Sequence, residues 1–455
     1  MNGSGGPRSM HRFEYLAPTV TTSLIWMLLA SCELGPKIPT HETNPSSLQD
    51  PYAIRPAGPQ ASPRIRLLQR SIEAGEPSAA TRFWKEIEQQ GVPLIEQIPD
   101  DPQHSLVTFP WRAADDTRNV AVVGQLVNGA EPAKNRMFRV QGSDVWYLSF
   151  AIRNDARFTY SFSPDDSMLP LLDPARVARD FQQDPLNTRR FLGLSGKYSS
   201  YVELPDAPSE PWQTPAPETV RGRLARTSFR SRLLGNERAL WIYTPAPFDP
   251  NPQDYPLLVL LDGGAYTHSS TPAAAILDHL IATKQIRPTL AILVGNTQRA
   301  RELPSSMFAA FLATELVPWA TGKYGASQNP ASIVIAGSSL GGLVASFAAF
   351  QHPDVFGNAL SMSGSYWWEW GDREEPEWLT RRFQETPRRP VRFFVAVGAM
   401  EKADSQLFTN RRFANVLAEK GYSVEYQEFN GGHGYISWRR ALFDGLITLL
   451  GEEGN

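Results

Sequence analysis

Gly337-Ser338-Ser339-Leu340-Gly341 stands between two apolar stretches, Ile333-Val334-Ile335-Ala336 before it and Gly342–Phe350 after it. The first reads as a buried strand and the second as a helix. As a bare pattern GxSxG is weak. At a strand–turn–helix junction it is strong, because a strained turn there lifts the central serine above the edge of a sheet. The glycines let neighbouring backbones pack closely around the turn. The start of the following helix supplies unpaired N–H groups and the positive end of a dipole. Ser339 is therefore the candidate nucleophile, and Ser338 fills the variable position of the motif.

The surroundings repeat the same rhythm. Strand candidates at Ala239–Tyr243, Pro256–Leu261, Thr289–Val294, Ser332–Ala336, Ala359–Met362, Val391–Val397 and Ser423–Phe429 alternate with helical stretches such as Met307–Trp319 and Leu343–Phe350. This predicts a mostly parallel sheet with helices on both faces, an α/β-hydrolase domain over 213–455. In that fold the catalytic groups follow the chain order serine, acid, histidine. His433 in Gly431-Gly432-His433-Gly434, just after the last strand, is the candidate base, and the flanking glycines predict an exposed turn. The only other histidine after Ser339 is His352, in a turn close to the nucleophile helix. The acid should follow Arg392–Val397, where Gly398-Ala399-Met400-Glu401-Lys402-Ala403-Asp404 offers Glu401 and Asp404. Either carboxylate could orient the imidazole and stabilise its charged form. Oxyanion donors are expected from the N–H of Leu340 and from Gly264 in Asp262-Gly263-Gly264-Ala265-Tyr266.

Upstream, 66–212 opens with helical patterns around Leu67–Ile72 and Phe83–Ile87. It then turns to short alternating segments at Ser105–Phe109, Val120–Val123, Val145–Phe150 and Phe158–Phe162. That spacing predicts an antiparallel β-sandwich. No nucleophile–base pair occurs in it. Before it, 33–65 is proline-rich and reads as an extended tether. Residues 1–32 read as a secretory signal: Arg8, His11 and Arg12, an apolar core from Leu16 to Leu29, then Leu29-Ala30-Ser31-Cys32. The last four resemble the bacterial lipobox, whose cysteine carries lipid. Cys32 is the only cysteine of the chain, so no intramolecular disulfide can form. The expectation is an exported protein of the periplasm, attached to a membrane through Cys32; a cleaved signal with a chance cysteine is the plainer alternative.

A chain of 455 residues holds two domains with such extensions. A net charge of −3 gives no reason to expect a nucleic-acid partner. No metal-ligand cluster is evident, so no cofactor is expected.

Several segments resemble the enterochelin (enterobactin) esterases, the ferric siderophore esterases. They are Leu260-Leu261-Asp262-Gly263, Arg299-Ala300-Arg301-Glu302-Leu303, Glu315-Leu316-Val317-Pro318, the elbow itself, Ser363-Gly364-Ser365-Tyr366-Trp367-Trp368, and Gly431-Gly432-His433 with Trp438-Arg439. In the first domain Val107-Thr108-Phe109-Pro110-Trp111-Arg112 and Asp144-Val145-Trp146-Tyr147 carry the likeness. The resemblance implies an esterase that opens the lactone bonds of a cyclic catecholate siderophore, ferric or iron-free. It implies an Ig-like sandwich covering the site, and Ser339, Glu401 and His433 as nucleophile, acid and base. Iron would arrive with the substrate. Arg299, Arg301 and Arg439 offer charge to such an anion, and Tyr366, Trp367 and Trp438 offer ring faces. Surface ion pairing and core packing are the plain alternatives for these side chains. A general carboxylesterase, an acyltransferase and a non-catalytic siderophore-binding lipoprotein are the rival functions.

Overall fold

Ile333–Ser338 is buried along its whole length, and it runs through the interior of an eight-stranded sheet. Its strands are β10 (Arg223–Arg230), β11 (Glu237–Thr244), β12 (Leu257–Leu260), β13 (Leu290–Val294), β14 (Ile333–Ser338), β15 (Asn358–Met362), β16 (Arg392–Gly398) and β17 (Ser423–Phe429). Their order is β10-β11-β13-β12-β14-β15-β16-β17. From β13 to β17 every pairing is parallel, and β10 and β11 form an antiparallel flank. Parallel strands with helices on both faces are covered twice, which is why they read as unbroken apolar runs. One core fills each face of the sheet.

The computed structural model describes residues 54–126, 132–169, 176, 181–193, 196–214, 219–249, 254–303, 305–369 and 376–451. Cys32, the signal segment and most of the expected tether lie outside the described residues. The folded chain starts ahead of position 66, however. Arg55–Pro56, β1, pairs with Val145–Arg153, and a helix begins at Pro63, where Ser62 accepts a hydrogen bond from the Ile65 amide. Proline at a first helical position loses nothing, since its missing N–H would have no partner there. So Pro63 starts a helix instead of extending a tether.

The first domain has two antiparallel sheets. One joins β1, β2 (Leu94–Ile98), β3 (Asp101–Arg112), β5 (Phe138–Arg139) and β6 (Val145–Arg153). The other has the order β4-β7-β9-β8, from Val120–Gly124, Arg157–Pro164, Tyr198–Glu203 and Arg190–Leu192. Phe109 and Phe150 of one sheet and Phe158, Tyr160 and Phe162 of the other belong to one core. Helices Pro63–Glu73 and Ala79–Gln90 close the far face of the first sheet with Ile65, Leu68, Phe83, Trp84 and Ile87.

Three features differ from the sequence expectation. β10, Arg-Leu-Ala-Arg-Thr-Ser-Phe-Arg, is an exposed edge strand with too little apolar alternation to be seen. β9 pairs with β7 although its sequence, Tyr-Ser-Ser-Tyr-Val-Glu, is half polar. The helical stretch around Met307–Trp319 passes through a wide turn at Leu312–Leu316, just ahead of Pro318, which lacks the N–H that a regular ladder needs.

Candidate active site

The strands of the parallel sheet deliver the site at their C-terminal ends, where loops from neighbouring strands converge. Ser339 follows β14 directly. Its backbone lies at φ +57° and ψ −124°, and helix Leu340–Gln351 starts from it. This strained conformation is held from outside: the Ser339 N–H donates to Met362 O at 2.8 Å, and the Ser365 N–H donates to Ser339 O at 3.1 Å. The turn is also too tight for side chains. A Cβ on Gly337 would lie 2.4 Å from the carbonyl oxygen of Gly341.

His433 Nε2 lies 3.0 Å from Ser339 Oγ, and His433 Nδ1 lies 2.6 Å from Glu401 Oε2. Ser339 and Glu401 are buried, at 9% and 8% exposure. The other carboxylate oxygen of Glu401 accepts from the Gly398 N–H at 2.9 Å and from the Ser363 hydroxyl. Three donors thus fix this carboxylate. Asp404 is turned away: its side chain is 70% exposed and faces Lys402 at 3.7 Å. Of the two acids open in the sequence, the structure brings Glu401 to the imidazole.

The amides of Leu340 and Gly264 have no backbone acceptor among the described residues. Both sit at helix starts, Leu340 as the first residue of helix Leu340–Gln351 and Gly264 ahead of the short turn Ala265–Thr267. Gly263 differs, because its N–H donates to Val294 O at 2.8 Å. A cavity of about 430 Å³ opens between them. Asp262, Gly264, Arg299, Ser339, Tyr435 and Trp438 line it, as do Trp241 and His268.

Residues expected to bind substrate divide sharply. Trp438 lines the cavity, with its ring edge-on to His433 at 4.8 Å, and its N–H is spent on Ser363 Oγ at 2.9 Å. Arg299 also lines the cavity, but its fork is bound to Asp262 at 2.7 and 2.8 Å and reaches Ser338 O at 3.4 Å. Burial opposes its charge, the Asp262 carboxylate more than offsets that, and its pKa ends above the ordinary arginine value. The guanidinium therefore ties the Gly263–Gly264 loop to the Ser339 turn and is no free cation. Arg439 is buried and bidentate to Glu210, at 2.8 and 2.5 Å, outside the cavity. Tyr366 is fully buried, stacked on Phe413 at 3.9 Å with its hydroxyl 2.7 Å from Ser346 Oγ. Trp367 donates to Gln406 at 3.0 Å and does not line the cavity. For Tyr366 and Arg439 the plain alternatives, core packing and ion pairing, describe what is seen. Arg301 is exposed, without an ion-pair partner among the described residues.

The glycines beside His433 serve a purpose other than exposure. Gly431 and Gly432 are buried. A Cβ on Gly432 would lie 2.6 Å from Gln125 Cβ, and one on Gly434 would meet the Gln125 amide. The turn is packed under the first domain, and Gly432 has no room for a side chain.

Sequence reasoning missed Asp262, Ser363 and Gln406. Gln406 binds Gly364 O at 3.0 Å and also Ser363 O, which fixes the segment after β15. A lone acidic residue at the end of a wholly apolar strand, with an arginine in the next loop, was the available signal for Asp262. Among the described residues no group of three or more His, Cys, Asp or Glu side chains could hold a metal ion.

This arrangement belongs to a recognisable group of proteins. A family model described as Esterase matches residues 231–449, and one described as Enterochelin esterase, N-terminal, matches 106–213. The iron(III) enterobactin esterase of Dickeya dadantii is 30% identical, over 86% of this chain and 97% of its own length. The iron(III) salmochelin esterase of Escherichia coli O6:H1 is 27% identical over 85% of this chain and 98% of its own. Among solved structures, the enterobactin esterase of Shigella flexneri in the presence of enterobactin has a TM-score of 0.66 at 29% identity, covering 81% of this chain and 97% of that one. The ferric enterobactin esterase of Salmonella typhimurium has a TM-score of 0.67 at 28% identity, with coverages of 80% and 98%. The likeness thus runs through both domains and nearly the full length of these relatives, and the chain belongs to the enterochelin esterase family.

Proposed function

We propose that this chain is a serine esterase that hydrolyses the lactone bonds of a catecholate siderophore and so lets its iron be released. One observation carries the mechanism: the unbroken hydrogen-bond line from Ser339 Oγ through His433 to Glu401, at 3.0 and 2.6 Å, at the wall of a cavity. Ser339 Oγ attacks the lactone carbonyl carbon while its proton passes to His433 Nε2. The oxyanion lies between the Leu340 and Gly264 amides. The carbon–oxygen bond to the leaving alkoxide breaks, and His433 returns the proton to that oxygen. Water then repeats the sequence on the acyl-enzyme, and the acid departs with Ser339 restored. Glu401 keeps the imidazole in the tautomer with its proton on Nδ1 and stabilises the imidazolium.

The substrate class is supported by the relatives. The Shigella protein was crystallised in the presence of enterobactin and also of 2,3-dihydroxy-N-benzoyl-serine. A cavity of about 430 Å³ walled by Trp241, Tyr435 and Trp438 is in the size range of small-molecule sites and suits one catechol-bearing arm. We read the first domain as an Ig-like sandwich, on the strength of its two antiparallel sheets around one core; an experimental strand order foreign to that class would remove the label. We also read Cys32 as a lipid attachment site that holds the protein in the periplasm. Mass spectrometry of the mature N-terminus should find an acylated Cys32, and an unmodified terminus further along rejects it.

The deciding experiment is chromatography of the products from ferric and iron-free trilactone, with Ser339→Ala alongside. Linear and monomeric catechoyl-serine products from the native protein, and none from the variant, are expected. Cleavage of short nitrophenyl esters without any trilactone opening would leave a general carboxylesterase. Hydrolysis that survives Ser339→Ala would remove the serine mechanism.

A further inference from the structure

His433 lies on a glycine-rich turn. Gly431, Gly432 and Gly434 surround it, and glycine restrains a backbone less than any other residue. Yet an imidazole displaced by about 1 Å from its nucleophile can cost on the order of a hundredfold in rate. The first domain restrains this turn on both sides of the histidine.

Ahead of His433, the Arg157 N–H of β7 donates to Asn430 O at 3.3 Å. The Asn430 amide donates back to Asp155 Oδ1 at 2.9 Å and to Arg153 O at 3.4 Å. After His433, Arg439 grips Glu210, and Glu210 also meets Arg157 Nη1 at 3.1 Å. The side chains of Arg157, Glu210 and Arg439 are 7%, 3% and 7% exposed. One residue, Arg157, therefore reaches the turn from both directions, by its backbone three residues before His433 and through Glu210 six residues after it. Over the turn itself lies Gln125, fixed to β7 by the Thr159 N–H at 2.9 Å and by its own N–H to Thr159 O at 3.1 Å. The acid loop joins in: the Met400 N–H donates to Gly431 O at 3.1 Å, and the Met400 side chain packs on the first-domain core.

We propose that the first domain positions the general base. Arg157, Asn430, Glu210 and Arg439, with Gln125 as a cover, form a clamp that sets where His433 sits between Ser339 and Glu401. None of these touches the reacting atoms; all act through the turn. The inference rests on the reading of His433 as the base.

The test uses the full chain and a small neutral nitrophenyl ester, so that loss of siderophore contacts plays no part. Asn430→Asp removes the amide donor and sets a carboxylate against Asp155. Its kcat should fall about ten- to a hundredfold with KM within about twofold, and the far-downfield proton resonance of the His433–Glu401 hydrogen bond should weaken or vanish. Asn430→Asp with Asp155→Asn restores a donor facing an acceptor, and should recover most of the lost kcat and the resonance. Gln125→Ala is the milder second variant, removes no buried charge, and should lower kcat about three- to tenfold. The clamp is refuted if Gln125→Ala and Asn430→Asp both keep native kcat and the resonance while Ser339→Ala is dead, in which case the serine mechanism stands without it. It is equally refuted if kcat falls in Asn430→Asp with the resonance intact and no recovery in the double variant. Activity retained by Ser339→Ala removes the underlying mechanism instead.

Discussion

The hydroxyl of Ser363 has two neighbours that depend on it. It donates to Glu401 and accepts from the buried Trp438 N–H. Replacing it with alanine leaves the carboxylate one donor short and strands an indole N–H, each worth about 1 kcal/mol or somewhat more. Ser363→Ala is expected to lower kcat about tenfold with KM nearly unchanged, as measured by steady-state kinetics. Glu401→Gln goes further, since an amide can turn its NH2 toward the imidazole and favour the wrong tautomer; a loss of about a thousandfold or more in kcat is expected. Arg299 tells two roles apart. If it served only as an anion ligand, Arg299→Lys would raise KM for the catecholate and leave neutral esters alone. Because its fork joins Asp262 to Ser338 O, the expected outcome is a lower kcat on neutral esters as well, since lysine cannot reproduce a planar two-point contact.

At the scale of elements, the junction of β14 with helix Leu340–Gln351 is where sequence and structure agree most closely. Its apolar strand and glycine-flanked serine act locally, so a short window holds all the information. Gly337→Ala should cost about 1–3 kcal/mol, because the new methyl would meet backbone and not a movable side chain; a lower urea midpoint is the readout. β10 and β9 were illegible for the opposite reason. Their residues are chosen by neighbours far away in sequence, on an exposed edge and across a sheet, and local pattern carries little of that. Glu401 and Asp404 likewise look equal in sequence. What separates them is the Gly398 amide and the Ser363 hydroxyl converging on one carboxylate, which only the folded loop brings together. Arginines and aromatics were the least legible: charge and ring say nothing about whether a partner such as Asp262, Glu210 or Phe413 has already claimed them.

On the scale of the whole molecule, the two domains meet at the His433 turn and not merely beside it. The buried Arg157–Glu210–Arg439 group lies at their contact. Taking Glu210 away would leave the buried Arg439 guanidinium without a carboxylate, while Arg157 keeps Glu203 at 2.9 Å, and removing one partner of a buried ion pair costs about 3–5 kcal/mol. Glu210→Ala should therefore lower the melting temperature of the whole chain as well as its turnover, as calorimetry would record. Helix Leu340–Gln351, by contrast, is buried from Leu340 through Phe350. Amide protons along it should exchange with solvent only on global opening, while those of the His433 turn, a seam between two bodies, should exchange through smaller openings. Ser339 and His433 then belong to regions of unequal local stability. In rising denaturant this protein should fall silent while its central sheet is still intact.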